Sequence, residues 1–334
     1  MHDIALPLLL GLILIALAFD FLNGLHDAAN SIATIVATKV LTPPQAVAWA
    51  AFFNFIAFLF IGLHVAETIG KGIIDPLVVD PGVIFGALIG AIFWNALTWY
   101  LGLPSSSSHA LVGGLLGAGI SKGGLDAVVA SGVIKTSVAI FAAPILGMIA
   151  AIILVIVTSW LFLPASARTA DTIFRRLQLV SSAAYSIGHG ANDAQKTMGI
   201  IAVLLFSTGY LEGEFYVPFW VVISAQTAMG LGTLMGGWRI VHTMGSKITK
   251  LTPHQGFSAE TGGAIMLFTA TALGIPVSTT HTITGCIIGV GAARRASAVR
   301  WGVARSVVTA WIVTIPAAAA VSAFFYWLTT LFAA

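Results

Sequence analysis

The chain has 334 residues, of which 58% are hydrophobic and only 8% are charged, with a mean hydropathy of +0.99. This excludes a soluble globular domain, and apolar segments that run on for about 20 residues, instead of alternating over about ten, exclude a membrane β-barrel. A net charge of +3 does not point to nucleic acid, because the basic residues sit at helix ends and form no long run, as membrane orientation requires.

Met1-His2-Asp3 lacks the Lys/Arg-rich start of a signal peptide, so the apolar stretch that follows reads as the first membrane helix. Residues 4 to 40 are interrupted by Asp20, Asn23, His26, Asp27 and Asn30. As one helix they would reach roughly 55 Å against a hydrocarbon core of about 30 Å, so a break is expected at Asn23-Gly24. A helix from Pro43 to Ala66 leads to an acidic loop with Glu67, Asp75 and Asp80, and Pro81 opens a helix that ends near Gly102. A short helix from Ser106 to Ile120 carries Gly113, Gly114, Gly117 and Gly119, a small-residue face suited to close packing. A long helix from Thr136 to Leu163 then meets a polar linker. The second half repeats the plan: a broken element over 172–208, a helix over 215–236, a basic stretch with Arg239, Lys247 and Lys250, a helix over 258–273, a short helix after Ser278, a basic turn with Arg294, Arg295 and Arg300, and a last helix to 332. The division is therefore 1–163, a linker at 164–171, and 172–334.

Two duplications support this division. Leu101–Gly119 aligns with Leu273–Gly291 at a constant offset of 172 with 8 identities in 19 positions, and it places Pro104-Ser105-Ser106-Ser107-Ser108-His109 opposite Pro276-Val277-Ser278-Thr279-Thr280-His281. Proline cannot continue the preceding helix but suits the start of the next, so each Ser/Thr run lands at a helix N-terminus. Free backbone N–H groups, the positive end of the helix dipole and the hydroxyls of Ser106, Ser107, Ser108, Ser278, Thr279 and Thr280 together make an anion site. For a single copy, ordinary capping is the better account; for two copies inside apolar sequence, binding of one small oxyanion between them is. The second duplication, at an offset of 166, matches Gly24-Leu25-His26-Asp27-Ala28-Ala29-Asn30 to Gly190-Ala191-Asn192-Asp193-Ala194-Gln195-Lys196. Ionisable residues inside apolar segments mark ion or substrate paths, with capping of a broken helix as the structural alternative. Asp27 shares a helix face with Asn30, and Asp193 with Lys196.

The linker, the 239–250 stretch and the 294–305 turn are basic and hence cytoplasmic, while the 67–80 loop and the Glu212/Glu214 loop are acidic and hence outside. Segments 258–273 and 278–292 then form a re-entrant hairpin from the cytoplasm, and 81–120 one from outside. Each half has an odd number of crossings, which inverts one relative to the other and leaves the termini outside. The expected fold is an all-α polytopic membrane protein of two inverted-topology repeats with broken helices and re-entrant hairpins, the architecture of secondary transporters.

The duplicated signature resembles that of the inorganic phosphate transporter (Pit) family, over nearly the whole chain. Gly188–Lys196, Gly236–Thr243, Ala259–Gly263 and Ser278–Thr282 look like its bacterial, proton-coupled, low-affinity branch. The resemblance implies a homodimeric symporter of the cytoplasmic (inner) membrane that imports phosphate, as the free anion or a metal–phosphate complex, with H⁺ or Na⁺. From the chemistry of the two duplications, the anion is expected at the six hydroxyl residues with Asn192 and Lys196, and the coupling ion at Asp27, Asn30, Asp193 and His26. His26 and Lys196 depart from the Asn common in the family. The ammonium of Lys196 has no acceptor and repels Na⁺, and His26 beside Asp27 suits a titratable proton, so H⁺ is the expected ion, with Na⁺ as the alternative.

Sulfate permease is the alternative within the class. Sulfate has no proton to donate at neutral pH, whereas phosphate has one that an intramembrane carboxylate accepts. An intramembrane Ser/His hydrolase is disfavoured: Ser108-His109 and Thr280-His281 are sequence neighbours that diverge on a helix, and no Gly-x-Ser-x-Gly elbow occurs. No enzyme activity, cofactor, resident metal or nucleic-acid partner is expected. His109 and His281 read as hydrogen-bonded packing residues, and the lone Cys286 makes no intrachain disulfide.

Overall fold

The computed structural model describes residues 5–333, and apart from one Ile74–Val128 bridge their regular structure is helical. Met1–Asp3, including His2, lie outside the described residues. The first half contains α1 (Leu6–Ala37), α2 (Pro43–Phe55), α3 (His64–Lys71), α4 (Pro81–Leu101), α5 (Ser107–Gly123) and α6 (Ala130–Leu161). The second contains α7 (Ala167–Ser207), α8 (Phe219–Met235), α9 (Trp238–His242), α10 (Pro253–Ala272), α11 (Thr279–Arg294) and α12 (Trp301–Ala333). Among the described residues, four helices, α1, α4, α6 and α12, are long and apolar enough to cross a membrane by themselves.

The breaks expected within 4–40 and 172–208 are absent: α1 is one continuous helix of 32 residues and α7 one of 41. Gly24 and Gly190 do not interrupt these helices; they let a neighbour approach. A Cβ on Gly24 would strike the Met229 carbonyl of α8, and a Cβ on Gly190 would lie 2.5 Å from the Asn54 carbonyl of α2. His26, Asn30 and Thr34 of α1 and Gln178, Ser181, Gln195 and Lys196 of α7 find partners on other elements, so the chain need not unwind around them. At about 1.5 Å per residue both are longer than a hydrocarbon core of about 30 Å.

The true breaks lie elsewhere. The α2 axis, continued by a 3₁₀ turn to Leu59, bends by 82° into α3, and α8 bends by 62° into α9. Gly236, at φ 67°, supplies the left-handed turn of the second bend, a conformation that costs an L side chain strain. The polar linker is also shorter than expected. Ser166 accepts from Thr169 N and caps α7, and the exposed Asp171–Arg175 pair lies one turn apart on its first turns.

Two hairpins, α4–α5 and α10–α11, turn at Gly102 (φ 66°) and Gly274 (φ 63°). At the open end of the first, Asp80 caps α4 by accepting from Val83 N and meets Lys122 of α5 at 2.6 Å. Both tips are buried: Ser105 to Ser108 and Val277 to Thr280 are each at most 4% exposed.

The halves exchange partners. α12 packs on α4 and α5, while α6 packs on α10 and α11; α1 packs on α8, and α7 on α2 and α3. Equivalent Gly-x-x-x-Gly faces carry the first exchange, with Gly113 and Gly117 against the Ile315 and Ala319 carbonyls, and Gly285 and Gly289 against those of Pro144 and Met148. The apolar core accordingly forms two clusters that each draw on both halves.

Candidate functional site

The two hairpin tips meet against the middles of α1 and α7. Each tip begins with a cap: Ser106 Oγ accepts from His109 N at 3.2 Å, and Ser278 Oγ accepts from His281 N at 3.2 Å. Capping and binding are therefore divided within each run, because the first hydroxyl closes its own helix while the next two reach across to α1 and α7.

Asp27, 2% exposed, joins both tips. It accepts from Ser107 Oγ of the first at 3.1 Å and from Thr280 Oγ1 of the second at 3.3 Å. Its other neighbour is His26, whose Nδ1 lies 2.7 Å from Asp27 Oδ1 and whose Nε2 lies 3.1 Å from Thr98 Oγ1. Thr98 donates to the Trp94 carbonyl at 2.9 Å and receives the Ser105 hydroxyl at 2.9 Å. The His26 ring is thus held between the Asp27 carboxylate and the Thr98 hydroxyl.

Asp193 is fully buried, accepts from Thr279 Oγ1 at 2.9 Å, and is bridged by Lys196 one turn on. The Lys196 ammonium also donates to Ser108 Oγ of the first tip and, at 3.0 Å, to the Val277 carbonyl of the second. Its three protons are thus divided among the carboxylate and both hairpins. Asn30 donates to Thr279 Oγ1 and Thr280 Oγ1 at 3.1 and 3.0 Å, leaving its buried Oδ1 without a partner.

Asn192 stands at the entry to the second tip. Its amide donates to Thr271 Oγ1 and the Ile275 carbonyl and accepts from Val277 N, which fixes the path of the chain into the second tip.

Sequence reasoning passed over His189, four residues before Asp193 and so on the same helix face. Its Nε2 lies 3.1 Å from Asp193 Oδ2, outside hydrogen-bond alignment, while Nδ1 lies 3.2 Å from both Ser31 Oγ and Asn54 Oδ1. Asp27, His189 and Asp193 each offer a ligand atom, and these lie within 4.8 Å of one another, a spacing that suits a bound cation. A second missed group is Glu260 of α10, buried and held by Thr34, Gln178 and Ser181 at 2.6, 2.9 and 2.5 Å. Three donors satisfy it, so it ties the second hairpin to α1 and α7.

Residues 23–322 match the phosphate transporter family. The chain belongs to that family. Among its relatives, a protein of Rhizobium meliloti (strain 1021) described as "Probable low-affinity inorganic phosphate transporter" is 69% identical over 97% of each chain. A Bacillus subtilis (strain 168) protein with the same description is 44% identical over 98% of each chain. The fold of this phosphate transporter family member also superimposes on a solved structure titled "The sodium-dependent phosphate transporter", with a TM-score of 0.88 at 27% identity, over 98% of this chain and 100% of that one. Family, relatives and fold all describe transporters and none an enzyme.

Proposed function

We propose that the chain is a secondary active symporter that imports inorganic phosphate across a bacterial inner membrane, holding the anion between the hairpin tips and driving it with H⁺. The observation that carries this reading is the crossing of bonds at the tips, where side chains of α1 and α7 each hold both hairpins. A tetrahedral anion that enters between Ser107, Ser108, Thr279 and Thr280 replaces, with bonds of its own, the bond from Lys196 to the Ser108 hydroxyl and the one that this hydroxyl donates to the Val277 carbonyl at 3.3 Å. It gains the Lys196 ammonium and the N-termini of α5 and α11. Asp27 and Asp193 against one lysine leave one negative charge in excess beside the anion, which calls for a cation.

Lys196 already stands at Asp193, where its counterpart Asn30 in the first half offers an oxygen, and His26 is set to share a proton with Asp27. Both features favour H⁺. Na⁺ is the second reading, supported by the unpartnered Asn30 Oδ1, the Asp27/His189/Asp193 cluster and the similarity to a sodium-dependent transporter.

In proteoliposomes, phosphate uptake is expected under a pH gradient without sodium, and not under a sodium gradient at symmetrical pH. Strict sodium dependence would overturn the H⁺ reading. Repeating the assay with and without Mg²⁺ separates free phosphate from a metal–phosphate complex.

The proposed orientation places the turn at Ser166 in the cytoplasm and the acidic 67–80 loop outside. With Cys286 replaced by Ala, a cysteine at Ser166 is expected to resist a membrane-impermeant thiol reagent in intact cells and to react after permeabilisation. Labelling from outside in intact cells would reverse the assignment.

A further inference from the structure

His109 and His281 hold equivalent places in the two tips, one residue beyond Ser108 and Thr280. Where the sequence suggested hydrogen-bonded packing, all four of their ring nitrogens lack a hydrogen-bond partner, although the residues are only 2% and 0% exposed. The rings meet edge to face with centroids 4.4 Å apart, and His281 stacks on Trp311 at 3.8 Å. Buried, unpaired donors and acceptors carry their full desolvation cost, so such a pair calls for a partner.

Both rings line a cavity of about 540 Å³ between α6, α11 and α12. Its walls include Phe141, Ile145 and Ile312, which are 67%, 51% and 65% exposed on the outer face of the helices, where lipid lies. No Lys, Arg, Asp or Glu lines it. Apolar walls that enclose a few polar groups are the usual form of a small-molecule site, and this volume falls within the common range of roughly 300–1,000 Å³.

We propose that this cavity binds a single-chain amphiphile from the bilayer, whose uncharged hydroxyl or undissociated carboxyl head pairs with His109 and His281. Two neutral imidazoles offer two donors and two acceptors, which match a head that both donates and accepts. A phosphate head would use only the donors and find no cation in the lining. The bound head lies directly behind Ser108 and Thr280, against both tips at once.

The test uses the full chain in phosphatidylcholine vesicles with photoreactive probes of equal length: a long-chain alcohol, the matching carboxylic acid and the headless alkane. Loss of the paired head removes net hydrogen bonds, so the alkane is expected to label cavity residues of α6 and α12 about tenfold less than a headed probe. Whichever headed probe labels more strongly names the source. His109→Phe with His281→Phe should lower headed labelling to the alkane level, and Ile312→Trp, which fills the cavity from its wall, should lower all labelling. Equal labelling by the alkane overturns the proposal, as do stronger labelling by a phosphatidyl probe, cross-linking of a second copy through the cavity, or undiminished labelling of a folded variant. Should the histidine variant fail to fold, Ile312→Trp decides alone. Labelling makes no use of phosphate uptake, so its failure leaves the transport reading untouched.

Discussion

Replacing Lys196 by Met is expected to abolish phosphate uptake and to cost about 3–5 kcal/mol of stability, the usual consequence of removing one partner from a buried ion pair. Asp193 would keep Thr279 as a hydrogen-bond donor but lose the ammonium beside it, at a site where it is fully buried. Both tips would also lose a tie, since the same ammonium reaches Ser108 and the Val277 carbonyl. Stability and transport separate in a double-mutant cycle. Lys196→Met with Asp193→Asn removes both charges and should recover most of the lost thermal stability, while uptake stays absent because the phosphate has lost its cation. Arginine is no substitute, because its planar fork cannot send three protons in three directions as an ammonium does. Substantial uptake by a well-expressed Lys196→Met protein would show that the anion does not depend on this residue.

Asp27→Asn is expected to uncouple the transporter. The amide keeps the shape and one acceptor oxygen, so the contacts to Ser107 and Thr280 need not both be lost and the tips can still meet. What disappears is the charge that His26 faces at 2.7 Å, and with it the reason for a proton to reside there. The same change removes the excess negative charge beside the anion, so phosphate should still bind and exchange across the membrane. Measured in vesicles under an imposed gradient, the internal phosphate concentration should rise to the external one and stop. Accumulation above that level would remove Asp27 from the coupling step.

Much of this centre was legible because duplication made it so. The Pro-Ser and Asp motifs stand out against apolar sequence, and each recurs at a constant offset, so the pairing of tips with Asp27 and Asp193 could be read before any geometry. His189 was harder to see: its link to Asp193 is a four-residue spacing on a helix, and it appeared only as part of a family-like stretch. The continuity of α1 and α7 was hidden for a different reason. A buried polar residue looks like a break until its partner is known, and Asn30 of α1 and Asp193 of α7 find theirs 249 and 86 residues away at Thr279. Local pattern carries no record of such distant satisfaction. Asn192 shows what the signature leaves out, since its amide also fixes the path of the chain into the second tip.

The exchange of helices between halves bears on how the protein is made. The first hairpin leaves the ribosome early, but the glycine face of α5 is covered by Ile315 and Ala319, and that of α4 by Ser322, all in the last helix of the chain. Roughly 180 residues separate the two, which at about 5–20 residues per second is on the order of ten to thirty seconds of synthesis. During that interval the bilayer, or an insertion factor, must shield the unfinished hairpin. A chain cut short before α12 therefore loses more than its final span: the earliest part of the anion site is left without its wall.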